Sequence, residues 1–256
     1  MAVPGAALQP DPVFFPMAEF QVEGFLFRVP LYIFQQSQFF RENVLAQSQR
    51  EAAAEADAPY ELQDTTAAEF RDLLRCILPM AGPFPSGATA LTNVLKLATR
   101  WKFDFARRVA IRKIAYTVDS PALKLVLARA YAVPEFLPSA LGGLVDAPAL
   151  EVDDYEVLGR TESAEASSLE LVAKVVKYRE RARRARCERK EQKRESAAAT
   201  DPDPAQRRRL VEEIFGAEFA RDYRKGEEII AARAMALTQP QPRPPPPPAH
   251  RSRPCL

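Results

Sequence analysis

The sequence predicts an α+β protein: a small sheet with an N-terminal β-hairpin, a flanking cluster of helices, additional helices, and a disordered Pro-rich tail. Three observations carry that prediction. Apolar residues alternate with polar ones on either side of Glu23-Gly24. Apolar residues then recur with a helical period in several segments after residue 66. The closing stretch, "QPQPRPPPPPAHRSRPCL", has no apolar period and reads as polyproline-II-like.

The hairpin comes first. Phe20 and Val22 alternate around Gln21, and Phe25, Phe27 and Val29 alternate beyond the turn, whose glycine supplies the positive φ a tight hairpin needs. Pro30 suits the first turn of a helix, because its missing N–H has no partner to lose there. "LYIFQQSQFFRENV" follows, with Leu31, Phe34, Gln38 and Phe39 on or near one face. Residues 46–58 are Ala-rich and polar and read as a surface loop or frayed helix, and "PYEL" is a short strand candidate. Thr66 and Glu69 have capping-box spacing, and Phe70, Leu73, Leu74 and Ile77 recur at i, i+3, i+4 and i+7. Three prolines in "LPMAGPFPSG" end that helix.

Further helices follow closely. Leu91, Val94, Leu95 and Ala98 form one stripe. Asp104 is placed to cap a helix in which Phe105, Val109, Ile114 and Val118 point inward. Ser120-Pro121 reads as an N-cap with proline at N1, leading Leu123, Val126, Leu127 and Ala130. Pro134 opens a short helix with Leu137 and Leu141, and Gly142-Gly143 reads as its terminator. A helix over about 166–194 is next, then one over about 205–236 with Val211, Phe215, Phe219 and Tyr223 four apart.

Charge divides the chain. Residues 1–160 have a balance of −4 and residues 161–256 a balance of +6. Cys76, Cys187 and Cys255 stand far apart and in odd number, which excludes a disulfide framework or zinc spacing and suits a reducing compartment. The start lacks the basic and apolar regions of a signal peptide, and no stretch has the ~18–20 apolar residues of a membrane span. The expectation is a cytoplasmic or nuclear protein with no membrane partner.

Particular residues point to a family. "VEGFLFRVPLYIFQQSQFFREN" and "TTAAEFRDLLRCILP" resemble segments of BTB/POZ proteins of the kind expanded in mushroom-forming fungi. "VLKLATRWKFDFARRVAIRKI" and "PALKLVLARAYAVPEFL" are similar to that family's C-terminal helices. Animal members have an Asp where Met17 stands and a His where Pro30 stands; the fungal members share Arg28-Val29-Pro30. The resemblance covers about residues 14–160. It implies a BTB/POZ domain over 14–118 and a helical C-terminal extension over 119–160; composition adds a disordered 1–13 and, beyond the resemblance, a basic helix over 161–195. A linker with an amphipathic helix fills 196–238, and the disordered tail 239–256. The resemblance also implies a protein that works by binding proteins, as a homodimer or as an adaptor for a cullin scaffold. The interface candidates are Leu31, Phe34, Phe39, Phe40, Trp101 and Phe103.

Reactive chemistry is scarce. The one histidine, His250, lies in the tail, which excludes His-based acid–base work, nucleophilic triads and His-built metal sites. No enzyme activity and no cofactor are expected. Acids at 151–156 lack an EF-hand spacing and read as a solvated loop. Cys76 reads as a small buried hydrophobe. Residues 174–194 hold 11 bases and 3 acids, with Arg181, Arg183, Arg184, Arg186, Arg189 and Lys190 as a candidate basic patch. Such a helix meets phosphates of nucleic acid, serves as a nuclear import signal, or is simply a solvated face. A chromatin- or transcription-associated protein is therefore the alternative function.

Overall fold

The computed structural model describes residues 17–45, 59–78, 81–159, 168–194 and 204–238. The expected N-terminal segment, the Ala-rich stretch 46–58 and the Pro-rich tail with His250 lie outside them. Strands β1 (Met17–Val22) and β2 (Phe25–Pro30) form an antiparallel hairpin in which Phe20 faces Phe27. Glu23 and Gly24 both have positive φ, 47° and 78°, the backbone of a type I′ turn whose twist matches the strands. Strand β3 (Tyr60–Glu61) lies parallel to β1, giving the order β2-β1-β3. This is an α+β protein with a small sheet and many helices.

Helix α1 (Leu31–Gln35) leaves the hairpin directly and passes into a π-helical turn, Phe40–Leu45. Helix α2 (Ala67–Ile77) begins at Thr66 with the full capping box: Thr66 Oγ1 accepts from Glu69 N at 3.1 Å, and Glu69 Oε2 accepts from Thr66 N at 3.2 Å. A cap of this kind contributes about 1 kcal/mol. Glu69 also accepts from Lys96 Nζ at 2.8 Å, and Glu23 in the hairpin turn accepts from Ala67 N at 2.9 Å. The cap thus ties the sheet, α2 and the next helix together.

Helices α3 (Ala88–Arg100) and α4 (Asp104–Thr117) form a packed pair, and α5 (Pro121–Ala130) and α6 (Phe136–Asp146) form another. Helix α7 (Val152–Gly159) lies on α5 and α8. Helix α8 (Ser168–Arg194) and the pair α9 (Pro204–Phe215) and α10 (Ala217–Thr238) complete the chain. The stripe Leu91, Val94, Leu95, Ala98 is buried, and Ser120 Oγ caps α5 through Leu123 N at 3.2 Å.

Five local expectations need correction. Asp104 does not cap α4; Phe103 stands at that position and no side chain caps the helix. The cause is the corner before it. Lys102 takes φ 53°, Phe103 N donates to Ala98 O at 2.9 Å and Lys102 N to Thr99 O at 3.4 Å, the pattern of a Schellman turn without glycine. The turn sets the phase of α4 so that Ala106, Ala110, Ile111 and Ile114 face inward, while Phe105 turns out and Val109 is half-buried. The inward face of α5 is likewise Ala122, Leu125, Leu127 and Ala128, with Leu123 and Val126 half-buried and Ala130 exposed.

Gly142-Gly143 does not end a helix; it lies within α6, where a Cβ on Gly143 would stand 2.9 Å from Pro121 Cβ. Finally, the single helix expected over 205–236 breaks at Gly216, whose φ is 93°. The two halves fold back on each other, so that Arg208 Nε reaches Glu227 Oε2 at 2.7 Å. This hairpin docks on the body. Arg233 makes a two-point pair with Glu135 at 3.0 and 3.3 Å, and Gly226 abuts the Pro134 carbonyl.

Two predictions follow from this docking. A Cβ at Gly226 would overlap the Pro134 backbone, whereas one at Gly142 meets nothing within 4 Å. Gly226→Ala is expected to cost about 1–3 kcal/mol by overpacking, and Gly142→Ala to be neutral or to stabilise by up to about 1 kcal/mol. Denaturant melts of the two variants test the opposite signs.

The second concerns pH. Tyr178 and Tyr223 are buried where α8 meets the hairpin. Burial raises both phenol pKa values; for Tyr178, Tyr223 and Glu227 add to the effect and Arg207 opposes it. An unfolded tyrosine ionises near pH ~10, so the neutral folded form is fully favoured below that pH and loses ground as pH rises above it. The denaturation midpoint is expected to hold from pH 8 to 9.5 and fall beyond about pH 10, with a shallower fall in Tyr178→Phe.

Candidate protein interface

The site is built on the aromatic core beneath it. Phe20 of β1 meets the rings of Phe34 at 4.8 Å, Phe70 at 5.7 Å and Phe40 at 5.9 Å. Phe40 in turn meets Trp101 at 5.3 Å. Ser37, buried between α1 and the π-turn, accepts from Phe40 N at 3.1 Å and donates to the Trp101 carbonyl. That bridge fixes α1 against the α3–α4 corner.

Where α1, α2 and the corner meet, the surface holds a hollow of about 190 Å³. Tyr32, Ile33 and Gln36 supply one wall, Ile77 a second, and Phe103, Phe105 and Ala106 a third. Tyr32 is 43% exposed and Phe105 62% exposed, both at its rim. Small-molecule sites run roughly 300–1,000 Å³, so this hollow suits one protein side chain better than a cofactor. Among its lining residues only the Tyr32 phenol and the Gln36 amide are polar.

The structure redistributes the expected interface residues. Phe34, Phe40 and Trp101 are buried in the chain's own core and hold the site from beneath, whereas Phe103, also buried, forms part of the hollow's wall. Leu31 is half-buried, and Phe39 is half-buried with the Lys102 ammonium 5.4 Å from its ring. Sequence reasoning missed Tyr32, Ile77 and Phe105 as surface-forming residues. Tyr32 sits beside Leu31 in the expected helix. Phe105 was assigned inward because no glycine announced the Schellman corner.

Three of the six candidate basic-patch residues, Arg181, Arg183 and Arg186, are committed internally. Arg179 Nη2 donates to Ala147 O at 2.5 Å and Arg183 Nε to Val145 O at 3.0 Å, while Arg183 also reaches the carbonyls of Ala147 and Pro148. Arg186 pairs with Asp146 at 2.7 Å, and Arg181 pairs with Glu213 of α9. Arg179 and Arg183 thereby satisfy carbonyls at the C-terminal end of α6, where the helix dipole favours cations. Arg184 is exposed and makes no ion pair among the described residues. The side chains of Arg189 and Lys190 lie outside the described residues.

A second cleft, about 330 Å³, lies between α5, α8 and the α9–α10 hairpin. Its lining carries both signs of charge, including Arg129, Lys225 and Asp222. Glu170 and Lys174 there already pair at 2.5 Å, and that lysine lowers the Glu170 carboxyl pKa. Among the described residues no group of His, Cys, Asp and Glu is arranged to hold a metal ion, and no helix is long and apolar enough to cross a membrane.

Comparison with known proteins adds no relative: no family model, curated protein or solved structure matches the chain.

The two described cysteines differ in kind. Cys76 is buried on α2, and burial pushes its thiol up to about 11, whereas Cys187 on α8 is exposed. Maleimide labelling read by peptide mass is expected to modify Cys187 first, with Cys76 at least about tenfold slower until denaturant is added. Equal rates in the native protein would contradict the burial of α2.

Proposed function

We propose that this chain is a non-catalytic protein–protein interaction module, self-associating or acting as an adaptor, with a BTB/POZ-like N-terminal unit. The order of elements supports the BTB-like part: an antiparallel hairpin, a helix, a third strand parallel to the first, a capped helix and a packed helix pair. Three of the matching segments quoted from the sequence fall on those elements, and the fourth falls on α5 and the start of α6. In this reading 14–118 is the binding domain, and the helices after it are its extension.

The observation that carries the functional reading is the rim of the hollow. Two large aromatic side chains, Tyr32 and Phe105, are exposed at the rim of a side-chain-sized depression whose walls are mostly apolar. Exposed apolar surface next to a preformed depression is what a protein anchor residue fills. The adaptor version adds a cullin-type ubiquitin ligase scaffold as partner. The nucleic-acid alternative draws less from the geometry, because Arg181, Arg183 and Arg186 are held in internal pairs.

The test is light scattering on the full chain, alone and mixed with the BTB-binding domain of a cullin. Self-association or cullin capture is expected. Phe105→Ser is expected to weaken whichever contact is seen by about tenfold or more, with the melting temperature unchanged, since the residue contributes little to the core. A chain that stays monomeric and leaves the cullin in solution would remove this reading.

A further inference from the structure

One outer face of α4 differs from every other helix surface near the hollow. Phe105, Arg108, Arg112 and Tyr116 follow at i, i+3, i+7 and i+11 and so share one side of the helix. Phe105 is 62% and Tyr116 81% exposed, about 16 Å apart along the axis at a helix rise of ~1.5 Å per residue. Arg108 and Arg112 are exposed between them and make no ion pair among the described residues. Lys113 adds a third cation, 5.4 Å from the Phe84 ring. The stripe is aromatic at both ends and positive in the middle, and its Phe105 end opens on the 190 Å³ hollow.

The chain itself carries the complement. Helix α7 packs its Leu158 and Val157 side onto the body and turns Val152, Tyr155 and Glu156 outward at i, i+3 and i+4. Val152 is 73% and Tyr155 42% exposed, and Glu151 and Asp153 flank them. This face is apolar at its centre and negative at its edges.

We infer that α4 of one copy docks on α7 of a second copy, with Tyr155 anchored in the hollow beside Phe105 and Tyr32. The acids at 151–156 then meet Arg108 and Arg112. The inference rests on the proposed interaction function and names its surface and occupant. Charge explains why a second copy is favoured over an arbitrary apolar partner: opposite potentials speed encounter and fix register, while like-charged faces repel. Size explains how the contact repeats. A stable pair buries roughly 800 Å² on each partner, more than a four-turn helix against a two-turn helix provides. A twofold axis brings α4 of each copy to α7 of the other and doubles the contact.

The experiment uses the full chain in sedimentation velocity at low and moderate salt. Two charge-reversed variants are made, Arg108→Glu/Arg112→Glu and Glu151→Lys/Asp153→Lys. All four residues are exposed, and circular dichroism checks that each variant remains folded. Each variant alone is expected to self-associate at least about tenfold more weakly than the parent chain. Mixed in equal amounts, the two are expected to recover association with each other, because one supplies acids on α4 and the other bases on α7. Tyr155→Ser is expected to weaken the parent association without altering its salt dependence.

Each contrary result has its own meaning. Association untouched by either reversal overturns this surface and leaves the interaction function standing. Loss in the α4 variant alone, with the α7 variant behaving as the parent, overturns α7 as the surface that α4 meets on the second copy. A parent chain monomeric at all concentrations overturns the inference outright, and the cullin mixture then decides the broader reading.

Discussion

The packing of Phe20 against Phe34, Phe40 and Phe70 holds the N-terminal half of this protein together. A three-stranded sheet whose third strand has two residues has little stability of its own. It becomes stable because one ring from β1 meets rings from α1, the π-turn and α2, with centroids between 4.8 and 5.9 Å. Each such side chain contributes about 2 kcal/mol of burial, and tilted contacts add a fraction more. The one polar group inside this zone, Ser37, is satisfied on both sides: it accepts from Phe40 N and donates to Trp101 O. An apolar residue there would leave those two backbone groups without partners, so the serine specifies the arrangement that the rings stabilise.

A second device recurs through the helical half. Two helix ends, those of α5 and α6, are closed by arginines from other helices. Arg107 of α4 donates to the carbonyls of Tyr131 and Ala132 at the end of α5 and to Thr99 Oγ1 in α3. Arg179 and Arg183 of α8 do the same for α6, while Arg186 pairs with the Asp146 carboxylate at that end. A guanidinium has several donors in a fixed fork, so one side chain can satisfy two terminal carbonyls and oppose the helix dipole. The net effect is that helix ends, which are weak points when left to water, become tertiary contacts. Among the described residues, part of the positive charge of the C-terminal third is thus structural.

This bears on what could be read from sequence. The hairpin, the capping box at Thr66 and Glu69 and the stripe from Leu91 to Ala98 were legible because each depends on residues within one turn of one another. The Ser120 cap and the chain break after α2 were legible for the same reason. The phase of α4 was not, because it is set by Lys102 adopting a left-handed conformation that its residue type does not announce. Nor was the role of Arg183. A run of 11 bases looks alike whether it faces solvent or the end of another helix, and only the tertiary fold decides. Gly216 was passed over for a related reason, since the spacing of Val211, Phe215, Phe219 and Tyr223 runs unbroken through it. A single left-handed glycine can fold a helix back without disturbing its apolar pattern.

The exposed aromatic on α4 is a direct consequence of the same corner. With Lys102 left-handed, Phe103 occupies the position after a Schellman turn, where an apolar residue packs back on the preceding helix. Phe103 therefore goes inward, and Phe105, two residues on, goes outward at the edge of the hollow. A left-handed non-glycine residue costs about 1–2 kcal/mol, and the buried Phe103 and Trp101 on either side offset it. The corner thus couples core and surface. The contacts that make the N-terminal core stable also set the backbone that turns Phe105 into water.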